Sequence, residues 1–489
     1  MRVRFPHPPV RAIWLAAAVA GCTVGPDFHP PVVTAPGVWG PERTDVPSRT
    51  IAAEVNPQWW ASFNDAELTS LVDRLVAQNL NLKAAAERVL QGRAQRQVAA
   101  SQGLPQINEQ SSYMQERQSP AGFLSLITPA PGAPFSYNIW QNGLNVSWEL
   151  DLFGRVRRGV EAANADTLAS IEDRRGIALS SLAELAQDYL QLRDAQARLD
   201  IAERNLRLAG QNSRLVSNQF ANGVATTLDM AQARAQQATI AGTLPTLRTQ
   251  QAALINAIGL LLAEPPRALE AELQPHAAPP KVPLLVPIGL PGTLVRRRPD
   301  VREAEARLHA ATAQTGVAVA DFYPDVSLTG MGNLDGRKLA NAFSFEDGAV
   351  SVGPTISIPI FQGGRLTGQL RLRKSQQREA AIQFQNTVLQ AWQEVDNALT
   401  AYAEAQRWQT DIVESVKQNE IALRAARQRY IEGVIDFLNV NSAQAQLLQS
   451  QNDLADSNTQ ITTDLVTLYR ALGGGWETAD AGIPAKDPE

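Results

Sequence analysis

Two stretches decide how this chain is read: Asn81-Leu82-Lys83 running to Leu104-Pro105-Gln106-Ile107, and Asp300-Val301-Arg302 running to Tyr323-Pro324-Asp325-Val326. Within them Arg88 falls on Arg307, Ala94 on Ala313, Val98 on Val317 and Pro105 on Pro324, all at an offset of 219 residues. Further matches share an offset of 210: Phe153-Gly154-Arg155 with Gly363-Gly364-Arg365, and Phe220 to Gly223, Leu228 and Ala233 with Tyr430 to Gly433, Leu438 and Ala443. The nine-residue difference has to lie in a loop between the two sets. A duplicated block of about 200 residues is too long for a solenoid repeat. It predicts two similar halves and a pseudo-symmetric object.

Around the duplication, Pro and Gly mark the joints. Residues 22–56 are rich in Pro and lack periodicity, which predicts an extended tether, and Trp59-Trp60 opens the ordered part. The first repeat is expected over 57–263, a Pro-rich linker over 264–292, the second repeat over 293–474, and a polar, loose tail over 475–489.

Each repeat contains a period-two segment. Leu144, Val146, Trp148 and Leu150 alternate with Asn145, Ser147, Glu149 and Asp151; Val350, Val352, Ile356, Ile358 and Ile360 alternate with mostly polar or small neighbours. Alternation of this kind predicts strands with one apolar face. The strands are expected near 106–114 and 136–151 in the first repeat, and near 325–331 and 349–361 in the second. Four strands cannot close a membrane barrel, whose smallest members have about eight. The sheet therefore either pairs with other copies or is an ordinary soluble sheet.

The remainder reads as helix. From Gln369 to Glu432 there is neither Gly nor Pro, enough for a helix of about 96 Å at 1.5 Å per residue. Val388, Trp392, Val395, Leu399 and Tyr402 step by four and three; Val440, Leu447, Leu454, Ile461 and Leu468 recur every seven. A strict seven-residue repeat predicts a left-handed coiled arrangement. Helical hairpins are expected over about 156–262 and 366–472, turning at Gly223 and Gly433. In the first hairpin, Gly176, Gly210 and Gly242 are expected to interrupt the helix.

The N-terminus carries Arg2, Arg4 and Arg11, then the apolar run Ala12 to Ala20, then Gly21-Cys22. A basic region, a short apolar region and small residues make 1–21 a secretory signal. The small residues before the lone cysteine resemble a bacterial lipobox, which would make Cys22 a lipidated first residue; a plain signal peptide with an incidental cysteine is the alternative. Thr23 rather than Asp favours the outer membrane in that resemblance. A single cysteine permits no intramolecular disulfide. A net charge of −5 argues against a nucleic-acid partner.

No Gly-rich phosphate loop and no Gly-x-Ser-x-Gly elbow occurs, and His7, His29, His276 and His309 have no metal-ligand spacing. Catalysis, a metal and a cofactor other than the covalent lipid are therefore not expected.

Four blocks together resemble the outer membrane factor family, the TolC-like channels, in its lipidated OprM-like branch. They are Cys22-Thr-Val-Gly-Pro-Asp27 to Pro31; Trp59-Trp60 to Asp65 with Leu68 and Leu71; Leu294-Val-Arg-Arg-Arg-Pro-Asp300 to Gly330; and Leu468-Tyr-Arg-Ala-Leu-Gly-Gly-Gly-Trp476. The resemblance covers nearly the whole chain after the signal. It implies an α+β fold, mostly α: a homotrimer in which each copy gives four strands to one outer-membrane β-barrel, continued by a periplasmic α-helical barrel. The implied function is a passive exit duct for small molecules such as drugs. A periplasmic adaptor and an inner-membrane pump of the RND type would be its partners. Other readings are a type I protein-secretion duct and, from a different class, a lipid-anchored periplasmic scaffold or adaptor of coiled helices; the duplication argues against the latter.

The resemblance also implies a gate at the periplasmic turns. Asp229, six residues after Gly223, matches an acidic constriction residue of TolC-like channels; Asp436 is a second gate candidate, and Tyr430 and Arg427 could bond to neighbouring helices. A ring of carboxylates would select cations. The alternatives are a solvated face or a helix N-terminal charge for the two aspartates, and plain packing for Tyr430. Ser442 stands where many members carry an acidic residue, so one arm of the gate network is expected to be missing. Gly223-Val224 and Gly433-Val434 would form the adaptor-docking tip.

Overall fold

The computed structural model describes residues 23–39, 45–118, 135–336 and 348–482. A short strand β1 (Arg49–Ile51) and a 3-10 turn (Trp59–Phe63) precede α1 (Ala66–Gln78) and α2 (Leu80–Ser101). Then come β2 (Gln106–Gln118), β3 (Phe135–Glu149), α3 (Arg155–Ala221) and α4 (Thr227–Leu261). The middle of the chain holds α5 (Glu270–Leu273), β4 (Leu285–Pro287) and α6 (Pro291–Arg297). The second half repeats the first: α7 (Pro299–Ala320), β5 (Asp325–Gly336), β6 (Gly348–Ser357), α8 (Arg365–Ile431) and α9 (Phe437–Ala471).

The repeated helices agree in length to the residue. α2 and α7 have 22 residues each, α3 and α8 have 67, and α4 and α9 have 35. Gly176 and Gly210 lie inside α3 and Gly242 inside α4, so the glycines do not interrupt the first hairpin; Pro245 is also internal to α4. A helical Gly costs about 1 kcal/mol relative to Ala. Packing along a helix of this length outweighs that local preference.

Contacts divide the chain into two units. One comprises Met1–Pro31, Leu90–Ala169 and Glu305–Gln383; the other comprises Val32–Val89, Ser170–Ala304 and Phe384–Glu489. In the first unit, β2, β3, β5 and β6 form an antiparallel sheet in chain order. Ile107 pairs with Val146, Val146 with Gly330, and Gly330 with Val352, so these four residues lie across one row. Tyr113 and Trp140 face each other with rings 4.4 Å apart. The sheet hardly buries its apolar residues: Ile107 is 67% exposed, Leu144 54% and Val350 81%.

The second unit has a dense core. Trp59 is buried, stacks on Tyr469 at 5.3 Å and donates its indole N–H to the Gly474 carbonyl. Asp65 caps α1 by accepting from the Leu68 amide at 3.0 Å, and its other oxygen accepts from the Tyr189 hydroxyl at 2.8 Å. Two segments read as loose from composition are docked here. The N-terminal segment forms β1, parallel to β4, and its buried Ser48 accepts from the Tyr402 hydroxyl at 2.7 Å. Three residues of strand are too few to carry a period-two signal.

At the other end of the chain, a 3-10 turn over Trp476–Gly482 follows α9. Arg175 lies over the Trp476 ring at 4.5 Å and pairs with Asp480 at 2.6 Å. Cation–π and ion-pair partners supplied from distant sequence hold a segment whose own composition is polar.

Candidate functional site at the hairpin tips

Both helical hairpins turn through a glycine with positive φ, Gly223 at +72° and Gly433 at +75°. The Gly223 amide donates to the Phe220 carbonyl and the Val224 amide to the Gln219 carbonyl; Gly433 and Val434 do the same to Tyr430 and Arg429. This is a Schellman-type ending, which closes the orphan carbonyls of a helix and needs a left-handed residue. Beyond each turn an apolar pair remains exposed: Val224 (70%) with Leu228 (65%), and Val434 (59%) with Leu438 (52%).

The first turn of α4 is a capping box. Thr226 accepts from the Asp229 amide at 3.1 Å, and Asp229 accepts from the Thr226 amide at 2.8 Å and hydroxyl at 2.7 Å. Asp229 is thus a helix-capping residue within the chain. The pattern Thr-x-x-Asp after a turn glycine is legible in sequence, yet Thr226 is absent from the residues singled out there. Asp436 sits at the N-cap of α9 without capping through its side chain; it accepts instead from the Asn439 amide group at 2.5 Å.

A small apolar cluster lies behind the tips. Tyr430 is buried and meets Phe437 edge to face at 5.5 Å, with Val216, Ala233 and Val440 around them. Burial raises the Tyr430 pKa above the ordinary phenol range, and the Asp229 carboxylate adds to the rise. Tyr430 therefore packs within the chain, while its hydroxyl has no partner among the described residues. The same is true of Arg427 Nε, Gln232 Oε1 and Asn441 Oδ1. An unpaired buried polar atom costs about 1–3 kcal/mol.

Two amide pairs tie α3 to α9 above the tip. Asn212 donates to Gln444 at 2.7 Å and Asn205 to Gln451 at 2.9 Å, seven residues apart on each helix. Composition alone does not distinguish these amides from solvated ones. Ser442 precedes Ala443-Gln444 and is exposed. Cys22 lies outside the described residues. Among the described residues no cluster of three or more His, Cys, Asp or Glu could hold a metal, and no helix is long and apolar enough to cross a membrane.

The model for outer membrane efflux proteins matches residues 71–264 and 290–474, once for each repeat. The chain belongs to the outer membrane efflux protein family. Like other outer membrane efflux proteins it is an efflux channel of the Gram-negative outer membrane that extends into the periplasm. Relatives include the toluene efflux pump outer membrane protein TtgF of Pseudomonas putida, 33% identical over 95% of this chain and 96% of its own length. The cation efflux system protein CusC of Escherichia coli is 29% identical over 95% of this chain and 98% of its own. Among solved structures, the outer-membrane channel OprN superposes with a TM-score of 0.84 at 32% identity, covering 93% of this chain and 100% of that one. The mixed, mostly helical architecture is that of these outer membrane efflux proteins.

Proposed function

We propose that this protein is the passive, homotrimeric exit duct of a tripartite pump, in which three copies close one twelve-stranded barrel. The observation that carries the assembly is the sheet: β2 and β6 are edge strands among the described strands, and one of its faces exposes apolar residues such as Ile107, Leu144 and Val350. Unpaired edges cannot face lipid, where each unmet backbone group costs several kcal/mol. Pairing β6 of one copy with β2 of the next removes all edges at once.

The tips form the periplasmic gate. Asp229 would ring the constriction in three copies, with Asp436 near it, and the unpaired Tyr430 hydroxyl and Arg427 Nε would find partners on the neighbouring copy. With Ser442 in place of a carboxylate, this network has one arm fewer. The exposed Val224–Leu228 and Val434–Leu438 pairs beside Gly223 and Gly433 suit docking of an adaptor helix. The adaptor would connect the duct to an inner-membrane pump of the RND type. A lipid on Cys22 would add a second anchor, which one acyl chain needs for stable binding.

The cargo is small and amphiphilic or apolar. TtgF is named for toluene, and the 33% identity to it supports this class; CusC is named for cations, so cargo choice rests mainly with the pump. Static light scattering of the detergent-extracted protein, followed by planar-bilayer recording, tests the proposal. A trimer with discrete conductance supports it; a monomer or dimer without conductance rejects it.

A further inference from the structure

The segment just after Cys22 lies outside the duplication, yet in the strand-bearing unit it is gripped at four points. The Val24 amide donates to the Phe153 carbonyl at 3.1 Å. Gly25, with φ +97°, passes so close to Gly316 that a Cβ would fall 2.5 Å from the Gly316 Cα. The buried Arg158 reaches Asp27 at 2.6 Å and the Val24 carbonyl at 3.4 Å, while also holding Glu161 at 2.8 Å. Phe28 stacks on His309 at 4.3 Å, and His309 in turn contacts Glu161 at 2.9 Å.

These grips come from both repeats. Phe153, Gly154, Arg158 and Glu161 belong to the entry of α3; His309 and Gly316 belong to α7. Gly154 also has positive φ, and a Cβ there would strike Thr23 at 2.6 Å. A flexible leash has no use for two glycine contacts under 3 Å and a buried arginine. The closeness of the backbones is what a keyed fit requires.

We propose that Thr23–Phe28 is a staple that fastens the first repeat to the second beneath their strands, and that it stays seated whether or not Cys22 carries a lipid. Its partner is the chain's own groove between α3 and α7. The acyl group would be a separate membrane anchor attached to an already fixed end.

Spin labelling of the exposed Pro26 tests this in the full-length protein. The label enters through Pro26→Cys, once in the acylated chain and once with Cys22→Ser behind a cleavable signal. An immobilised spectrum in both is the expected result, together with a mobile spectrum after Arg158→Ala, Gly25→Val or Phe28→Ala. Asp27→Ala removes one contact of an exposed side chain without touching the core, so it gives a partial gain in mobility even if Arg158→Ala fails to fold. A label that is mobile in the parent, or that becomes mobile on Cys22→Ser alone, overturns the staple. So does a label that stays immobile in every strap and groove variant.

Discussion

Asp229 and Asp436 bring the same charge to equivalent helix starts, three positions out of register with one another. Asp229 is the third residue of α4 and is matched by Asn439 in α9; Asp436 is the N-cap of α9 and is matched by Thr226. Each tip therefore joins a hydroxyl or amide to a carboxylate over the same three-residue spacing, with the roles exchanged. A duplicated pair has kept its geometry and swapped its chemistry, so the two tips are not electrostatically equivalent.

Asp229→Ala should raise single-channel conductance and antibiotic leak, because it removes both the carboxylate and the restraint on Thr226. Loss of an N-terminal capping contact costs about 1 kcal/mol, small beside the fold. Unchanged conductance in planar bilayers would remove Asp229 from the gate.

Tyr430→Phe separates packing from gating. The hydroxyl has no partner among the described residues, so thermal stability of the chain should hold or rise slightly. Conductance should rise if the hydroxyl bonds across copies in the assembled gate. A fall in melting temperature with no change in conductance would make Tyr430 a core residue alone.

Gly433→Ala forces an L side chain to φ near +75°. A Cβ there meets nothing within 4 Å, so the cost is conformational, about 1–2 kcal/mol. Hydrogen exchange should quicken at the second tip and stay unchanged at the first; a global change would point to a wider role for the turn.

Asp188 predicts a pH signature. Burial first, then the Glu184 carboxylate, push its pKa up to about 6. A raised carboxylate pKa means that stability is fullest below the ordinary aspartate range and falls as pH rises through about 6. Asp188→Asn should therefore melt at nearly the parent temperature at pH 4 and above it at pH 7.5. Equal melting at both values would show that Asp188 is well solvated.

Trp476→Ala removes a ring held by Arg175 at 4.5 Å and Arg302 at 5.7 Å, whose N–H donates to the Arg297 carbonyl at 3.3 Å. The loss should be on the order of 2 kcal/mol, read as a lower urea midpoint. An unchanged midpoint would mean that the turn after α9 is an ornament of the core.

Much of the fold was legible because helices and strands announce themselves by period. The Gly- and Pro-free run from Gln369 to Glu432 lies almost wholly within α8, and the alternation at Leu144 to Glu149 lies within β3. What escaped was decided by partners distant in sequence. Gly176 and Gly210 look like breaks until their helix is packed; Ser48 and Trp476 look loose until Tyr402 and Arg175 are placed beside them. At the tip, Asp229 stood out by its match to an acidic position of the resembled family, whereas Asn212 and Gln444 carry no mark distinguishing a buried amide from a solvated one. The Thr226 cap was present as a pattern and overlooked.

The equal helix lengths of the two repeats bear on how this chain tolerates change. One residue added to α3 or α8 would turn everything beyond it by about 100°, moving the amide pairs and the tip off their faces. The nine residues by which the repeats differ have instead accumulated between α2 and α3, in the strands and their connections. Length is free to drift at the sheet end and is locked along the helices. An engineer who changes the length of either hairpin has to change it by whole helical turns, or lose the facing of the tip.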